Sequence, residues 1–163
     1  MINETKGDVA EFLNDFKNRN PNKTLVLIHQ CNCFNTLGRA RGFAGVLDKM
    51  FPQIVVADQA TTKGDGNKLG QYSKAKIDDN LWIFNAYGQY YYGMSPDIMY
   101  TDYDALQNSL GLIKTLVDMY IPNPVFLLPK FIGSGNANGN YEHIRSEIIN
   151  PLFQESETYL IYN

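Results

Sequence analysis

Apolar and polar positions alternate along this chain in short segments of two kinds. Val9, Phe12, Leu13 and Phe16 recur at helical spacing, with Asp8 just ahead of them as a natural N-cap. A polar break over residues 18–23, containing Pro21, separates them from the unbroken apolar run Thr24-Leu-Val-Leu-Ile28. The length and β-branching of that run predict a buried central strand. Phe43, Val46, Leu47 and Met50 predict a second helix, stopped before Pro52, and residues 54–57 read as a second short strand. Residues 61–70 are polar with three glycines and read as a loop. The segments 71–77 and 81–87 flank Asp78-Asp79-Asn80 and predict a hairpin. The tract from Tyr87 to Gly93 reads as a strand end running into a loop. Thr101-x-x-Asp104 resembles a helix start, and Tyr103, Leu106, Leu110, Ile113, Val117 and Tyr120 mark one face of a long helix. A strand over 125–128, a loop with three glycines over 131–140, a helix carrying Tyr141, Ile144, Ile148 and Leu152, and a final strand over 158–162 complete the chain.

Alternating strands and helices imply a layered α/β fold, with helices on both faces of a largely parallel sheet. The 163 residues suit one domain spanning 1–163, and 44% hydrophobic content supplies a core without disulfides. The formal net charge is −3 and no Lys/Arg run stands out, so nucleic acid is not an expected partner. No apolar run approaches transmembrane length, and the polar residues Asn3, Glu4, Lys6 and Asp8 argue against a signal peptide, so neither a membrane nor an export route is expected. Cys31 and Cys33 read as two thiols at a strand end in a reducing cytoplasm. With His29 and His143 as the only histidines and neither usual pair spacing present, no metal and no cofactor are expected.

In such sheets ligands bind beyond the carboxyl ends of the strands. Two loops of unusual composition fall there. One runs from His29 through Asn32, Gly38, Arg41 and Gly42 to Ala44; the other runs from Gly133 to Glu142. Each links a strand to a helix. Their glycines let backbone N–H groups approach a ligand, and the helix N-terminus adds partial positive charge. The plain alternative is that the glycines only make tight turns.

Lys6-Gly7-Asp8-Val9, His29-Gln-Cys-Asn32-Cys, Gly42-Phe-Ala44 and Pro129-x-x-Ile132-Gly-Ser-Gly135 occur in the order of the macrodomain pattern. The chain resembles that family from residue 6 to about residue 153. The His-x-Cys-Asn-Cys stretch most resembles the branch that hydrolyses ADP-ribose-1″-phosphate, which includes small phage-borne members. The resemblance implies a three-layer α/β fold with a central mixed, largely parallel sheet. It implies ADP-ribose or ADP-ribose-1″-phosphate as the ligand, in a host cytoplasm if the protein is phage-borne. Asp8, beside Val9, would accept from the adenine amino group, and Asn32 would contact the distal ribose. Gly42, Phe43 and Ala44 would line the diphosphate, with Gly133, Ser134, Gly135, Asn136 and Ala137 closing over it. The first loop departs from the family pattern by running two residues longer and placing Phe43 where an aliphatic residue is usual.

Several residues carry two readings. Arg41 either contacts a phosphate or is solvated. Asp8 is either an N-cap or an adenine ligand, and the two are compatible. Along an extended strand His29, Cys31 and Cys33 face one side and Gln30 and Asn32 the other. His29 is then either a packed histidine or the acid/base of a hydrolysis that Asn32 orients, with Ser134 or loop N–H groups on the departing phosphate. A non-catalytic ADP-ribose reader is the second functional reading. Removal of ADP-ribose from macromolecules is the third. The branch that does this commonly uses an Asp in the second loop and a Lys in the mid-chain strand, where this chain has Ala137 and no Lys over 83–89.

Overall fold

The computed structural model describes all 163 residues. Its strands are β1 (Ile2–Lys6), β2 (Thr24–Gln30), β3 (Tyr72–Asp78), β4 (Leu81–Ala86), β5 (Pro124–Pro129) and β6 (Thr158–Tyr162). They form one sheet in the order β1-β6-β5-β2-β4-β3. All neighbours are parallel except the β3–β4 hairpin, so the sheet is mixed and largely parallel. Helices are α1 (Val9–Arg19), α2 (Gly42–Met50), α3 (Pro52–Gln59), α4 (Tyr103–Tyr120), α5 (Tyr141–His143) and α6 (Asn150–Phe153). None is long and apolar enough to cross a membrane.

Period-two alternation on the central strands builds three layers. Leu25 and Leu27 of β2, Ile83 of β4 and Val125 and Leu127 of β5 face Val9, Phe16, Leu47 and Ile54 from α1, α2 and α3. Val26 and Ile28, with Phe84, Phe126 and Leu128, face Leu106, Leu110, Ile113 and Val117 of α4 and Ile148 and Phe153 beyond it. Both faces of β2 are buried, which is why its sequence shows no polar alternation.

Three local expectations change. Residues 54–57 are helical: Pro52 sits in the first turn of α3, Ile54 is buried and Val56 is 69% exposed, so one turn of helix that is apolar all round mimics a strand run. β1 escapes the pattern because Ile-Asn-Glu-Thr-Lys is mostly polar, as an edge strand tolerates. The N-cap of α4 is Asp102, accepting from Ala105 N at 3.0 Å; Thr101 instead donates to Gly133 O at 2.6 Å. The last helix is also irregular. Pro151 has no N–H, and Asn150 N reaches five residues back to Arg145 O, so residues 144–149 widen into a π turn between α5 and α6.

Leu27 lies at the sheet centre with no exposed surface. Leu27→Ala should lower unfolding free energy by about 3 kcal/mol, and Val56→Ala by less than about 0.5 kcal/mol, in urea titrations with unchanged m-values.

Candidate functional site

The carboxyl ends of β1, β6, β5, β2 and β4 open into one cleft of about 710 Å³, within the roughly 300–1,000 Å³ range of ligand sites. Strand order sets its long axis. Four inter-strand steps of about 4.8 Å separate Asp8, after β1, from Gln89, after β4, so the floor runs roughly 19 Å. Gly7, Asp8, Val9, Ile161 and Tyr162 line the β1–β6 end, Gln30 and Gln89 the β2–β4 end, and the two glycine loops the middle.

The loops present unsatisfied backbone donors. Arg41 is the extended N-cap of α2 and makes no side-chain cap. The N–H groups of Gly42, Phe43 and Ala44, all cleft-lining, therefore have no acceptor within the chain. In the second loop the N–H groups of Gly133, Gly135, Asn136 and Ala137 are likewise unpaired. The loops meet across the cleft: a Cβ built on Gly42 would stand 3.9 Å from Asn136 Nδ2. Gly42 (φ +62°) and Gly133 (φ +74°) occupy left-handed conformations, and a Cβ on Gly133 would press on Ile144, Leu106 and Gln30. Arg41 is the one cation in the lining and Asp8 the one acidic side chain. The site thus offers dipoles to an anion, with little net charge.

Asp8 is the N-cap that its sequence position suggests, and it stands at the cleft. Its Oδ2 accepts from Glu11 N at 3.2 Å as the α1 N-cap, and the residue lines the cleft. Val9, Arg41, Gly42, Phe43, Ala44, Gly133, Gly135, Asn136 and Ala137 also reach the lining. Asn32 and Ser134 are not brought there. Asn32 spends its amide inside its own loop: Nδ2 donates to Thr36 Oγ1 at 2.7 Å and Oδ1 accepts from Phe34 N at 2.8 Å. Ser134 Oγ donates to Phe131 O at 3.1 Å. The side chains at the β2–β4 end are Gln30 and Gln89. Gln30 Nε2 donates to Gln89 Oε1 and to Thr101 Oγ1, both at 2.9 Å. Through Thr101, whose hydroxyl donates to Gly133 O, Gln30 ties β2 to the second loop. Nothing local in the sequence marked Gln30, Gln89, Phe131 or Tyr162 as lining residues; strand alternation pointed to Gln30 only by placing it opposite His29.

His29 abuts the cleft but is 1% exposed. Asn85 Nδ2 is occupied with Ile54 O and Ser73 Oγ, so Asn85 Oδ1 is an acceptor and His29 Nε2 is its donor, at 2.6 Å. Burial pushes the imidazole down to about 4, against the opposing effects of Asn85 and Asp48. A neutral ring with one nitrogen committed fits the packed reading better than the acid/base reading. From Asn85 the network continues through Ser73 Oγ to Tyr87 OH (2.8 Å) and on to Asp58 Oδ1 (2.8 Å). Burial also raises the Tyr87 hydroxyl and both cysteine thiols, which leaves the thiols protonated and unreactive at neutral pH.

No protein-family model matches the chain. It is 33% identical over 148 residues to a 17.5 kDa protein from the tk-vs intergenic region of Enterobacteria phage T4, covering 88% of this chain and 85% of the phage protein. Among solved structures, a macrodomain protein from Streptomyces coelicolor superposes with a TM-score of 0.70 at 18% identity, covering 100% of this chain and 99% of that one. The macrodomain of Mycobacterium tuberculosis DarG gives 0.69 at 16% identity, covering 99% and 97%.

The histidine makes a pH prediction. The unfolded chain binds a proton at His29 near 6.5, whereas the folded chain resists it down to about 4. The stabilisation is therefore complete above pH 6.5 and is lost as pH falls towards 4, by about 3 kcal/mol at most. Chemical denaturation across pH 7 to 4 should show this loss, and a His29→Gln variant should show a flatter slope.

Proposed function

Since the chain belongs to the family of the phage T4 17.5 kDa protein and is built on the macrodomain fold, we propose that its cleft binds ADP-ribose. The observation that carries this reading is the set of unpaired N–H groups from two facing loops in one elongated cleft. A diphosphate at mid-cleft would satisfy the donors of Gly42, Phe43, Ala44, Asn136 and Ala137 and draw on the partial positive charge of the α2 N-terminus. Adenine would lie at the β1–β6 end, where the Asp8 carboxylate accepts from its amino group and Phe131 and Tyr162 offer ring surface. The distal ribose would meet Gln30 and Gln89.

The reaction we assign to this site is hydrolysis of ADP-ribose-1″-phosphate: water adds, and ADP-ribose and inorganic phosphate leave. Arg41, the one lining cation, would pair with phosphate charge, and the N–H groups of Gly133 and Gly135 would hold the departing group. No lining imidazole or carboxylate at the β2–β4 end offers proton transfer near neutral pH. Catalysis would then rest on positioning and fixed dipoles. Asn32 would contribute by bracing the first loop.

Calorimetry tests the ligand. ADP-ribose should bind saturably and AMP at least tenfold more weakly, because AMP lacks the second phosphate and distal ribose. Gly42→Val, which sets bulk beside Asn136, should abolish the difference. Equal affinity of the wild-type protein for both ligands removes the cleft assignment.

Phosphate release tests the chemistry. ADP-ribose-1″-phosphate should be turned over in the presence of a chelator. Asn32→Ala should lower turnover by about 10² through misplacement of the loop, with little change in thermal stability. Tight ADP-ribose binding without any turnover would replace the enzyme reading by the reader alternative. Release of ADP-ribose from modified macromolecules, run in parallel, separates the remaining alternative.

A further inference from the structure

The first loop rests on a charged residue that the ligand does not meet. Lys68 ends a short 3₁₀ turn, Gly66–Lys68, and is only 7% exposed. Its Nζ donates to Cys33 O at 3.0 Å and to Asn35 Oδ1 at 2.5 Å, and lies 5.0 Å from the centre of the Tyr87 ring. Both acceptors lie within the bend that runs from Asn32 to Thr36. Asn35 turns the chain there with φ +55°, an uncommon conformation for a side-chain-bearing residue. That bend is further tied to the segment preceding Lys68: Gly64 N donates to Cys33 O at 2.7 Å, and Asn35 Nδ2 donates to Thr61 O at 2.8 Å. Burial pulls the Lys68 ammonium below its ordinary pKa, against the opposing negative charge of Asp58 and Asp65.

An ammonium in this position is costly to desolvate, and an apolar side chain of similar length would fill the same space. What the apolar chain cannot do is donate to two acceptors at once. We infer that Lys68 is a positioning residue for the first loop, its ammonium setting the Cys33–Asn35 bend and thereby the placement of the α2 N-terminus against a bound diphosphate. The consequence for affinity rests on the ADP-ribose reading above; the consequence for loop order does not. Lys68 lies outside the cleft lining, so its effect reaches the ligand only through the loop.

The test uses the whole chain with Lys68→Met, and Asn35→Gly as a second variant that removes one acceptor and relieves the left-handed backbone. Hydrogen exchange of ligand-free protein should show amides of residues 33–40 exchanging at least tenfold faster in Lys68→Met, with β2 and β5 amides unchanged. ADP-ribose affinity should fall at least tenfold while AMP affinity changes by less than twofold, a split that general destabilisation would not produce. Asn35→Gly should reproduce the direction with smaller size, and it decides the matter if Lys68→Met does not fold. Unaltered exchange in the 33–40 segment of either folded variant overturns the inference. If the exchange result holds but wild-type protein does not bind ADP-ribose, the loop role stands and the ligand reading fails.

Discussion

The cleft depends on buried charge placed beneath its first loop. Between β2 and α2 the chain must cross the end of the sheet without regular pairing, and its backbone groups still need partners. Three charged side chains supply them from below. Asp48 of α2 accepts from Gly38 N at 2.8 Å and Ala40 N at 3.2 Å. Asp58 of α3 accepts from Leu37 N at 3.3 Å as well as from Tyr87. Lys68 holds the opening bend. All three are buried, and a buried charge that loses its partners costs about 3–5 kcal/mol. The loop is thus held in one shape by groups outside the cleft lining, and its own donors at Gly42, Phe43 and Ala44 are left without an acceptor.

That division explains how an acidic chain can suit an anionic ligand. The lining carries one cation, yet both loops that line it leave backbone N–H groups without an acceptor in the chain. Fixed dipoles act at hydrogen-bond range, whereas a net positive surface would draw polyanions of every kind. Recognition by such a site is short-ranged and shape-dependent. The tie from Gln30 through Thr101 to Gly133 serves the second loop as the buried charges serve the first.

Much of the fold was legible in the chain. Val26 and Ile28 against Leu25 and Leu27 announce a strand buried on both faces, and the Tyr103–Tyr120 stripe announces a long helix. Those signals survive because burial acts directly on side-chain polarity. The two glycine loops were equally visible, since left-handed backbone at Gly42 and Gly133 selects glycine. Residues 54–57 misled because four apolar residues are too few to separate a period of two from one of 3.6. β1 was hidden because an edge strand needs no apolar alternation.

The site divides along the same line. Residue type by itself nominated Asp8, Arg41, Gly42 and the Gly133–Ala137 loop, because caps, cations and glycines have local chemical reasons to be where they are. Tertiary structure alone decided that His29 packs against Asn85 and that Gln30 and Gln89 line the far end of the cleft. It also brought Asp48, Asp58 and Lys68 beneath one loop from separate elements. The physical reason is that a polar side chain takes its role from the partners folding brings to it, and several of those partners lie tens of residues away. Asn85 is 56 residues from His29, and Lys68 is 35 from Cys33. Hydrophobic periodicity is written in neighbouring residues; hydrogen-bond partnership across the sheet is not.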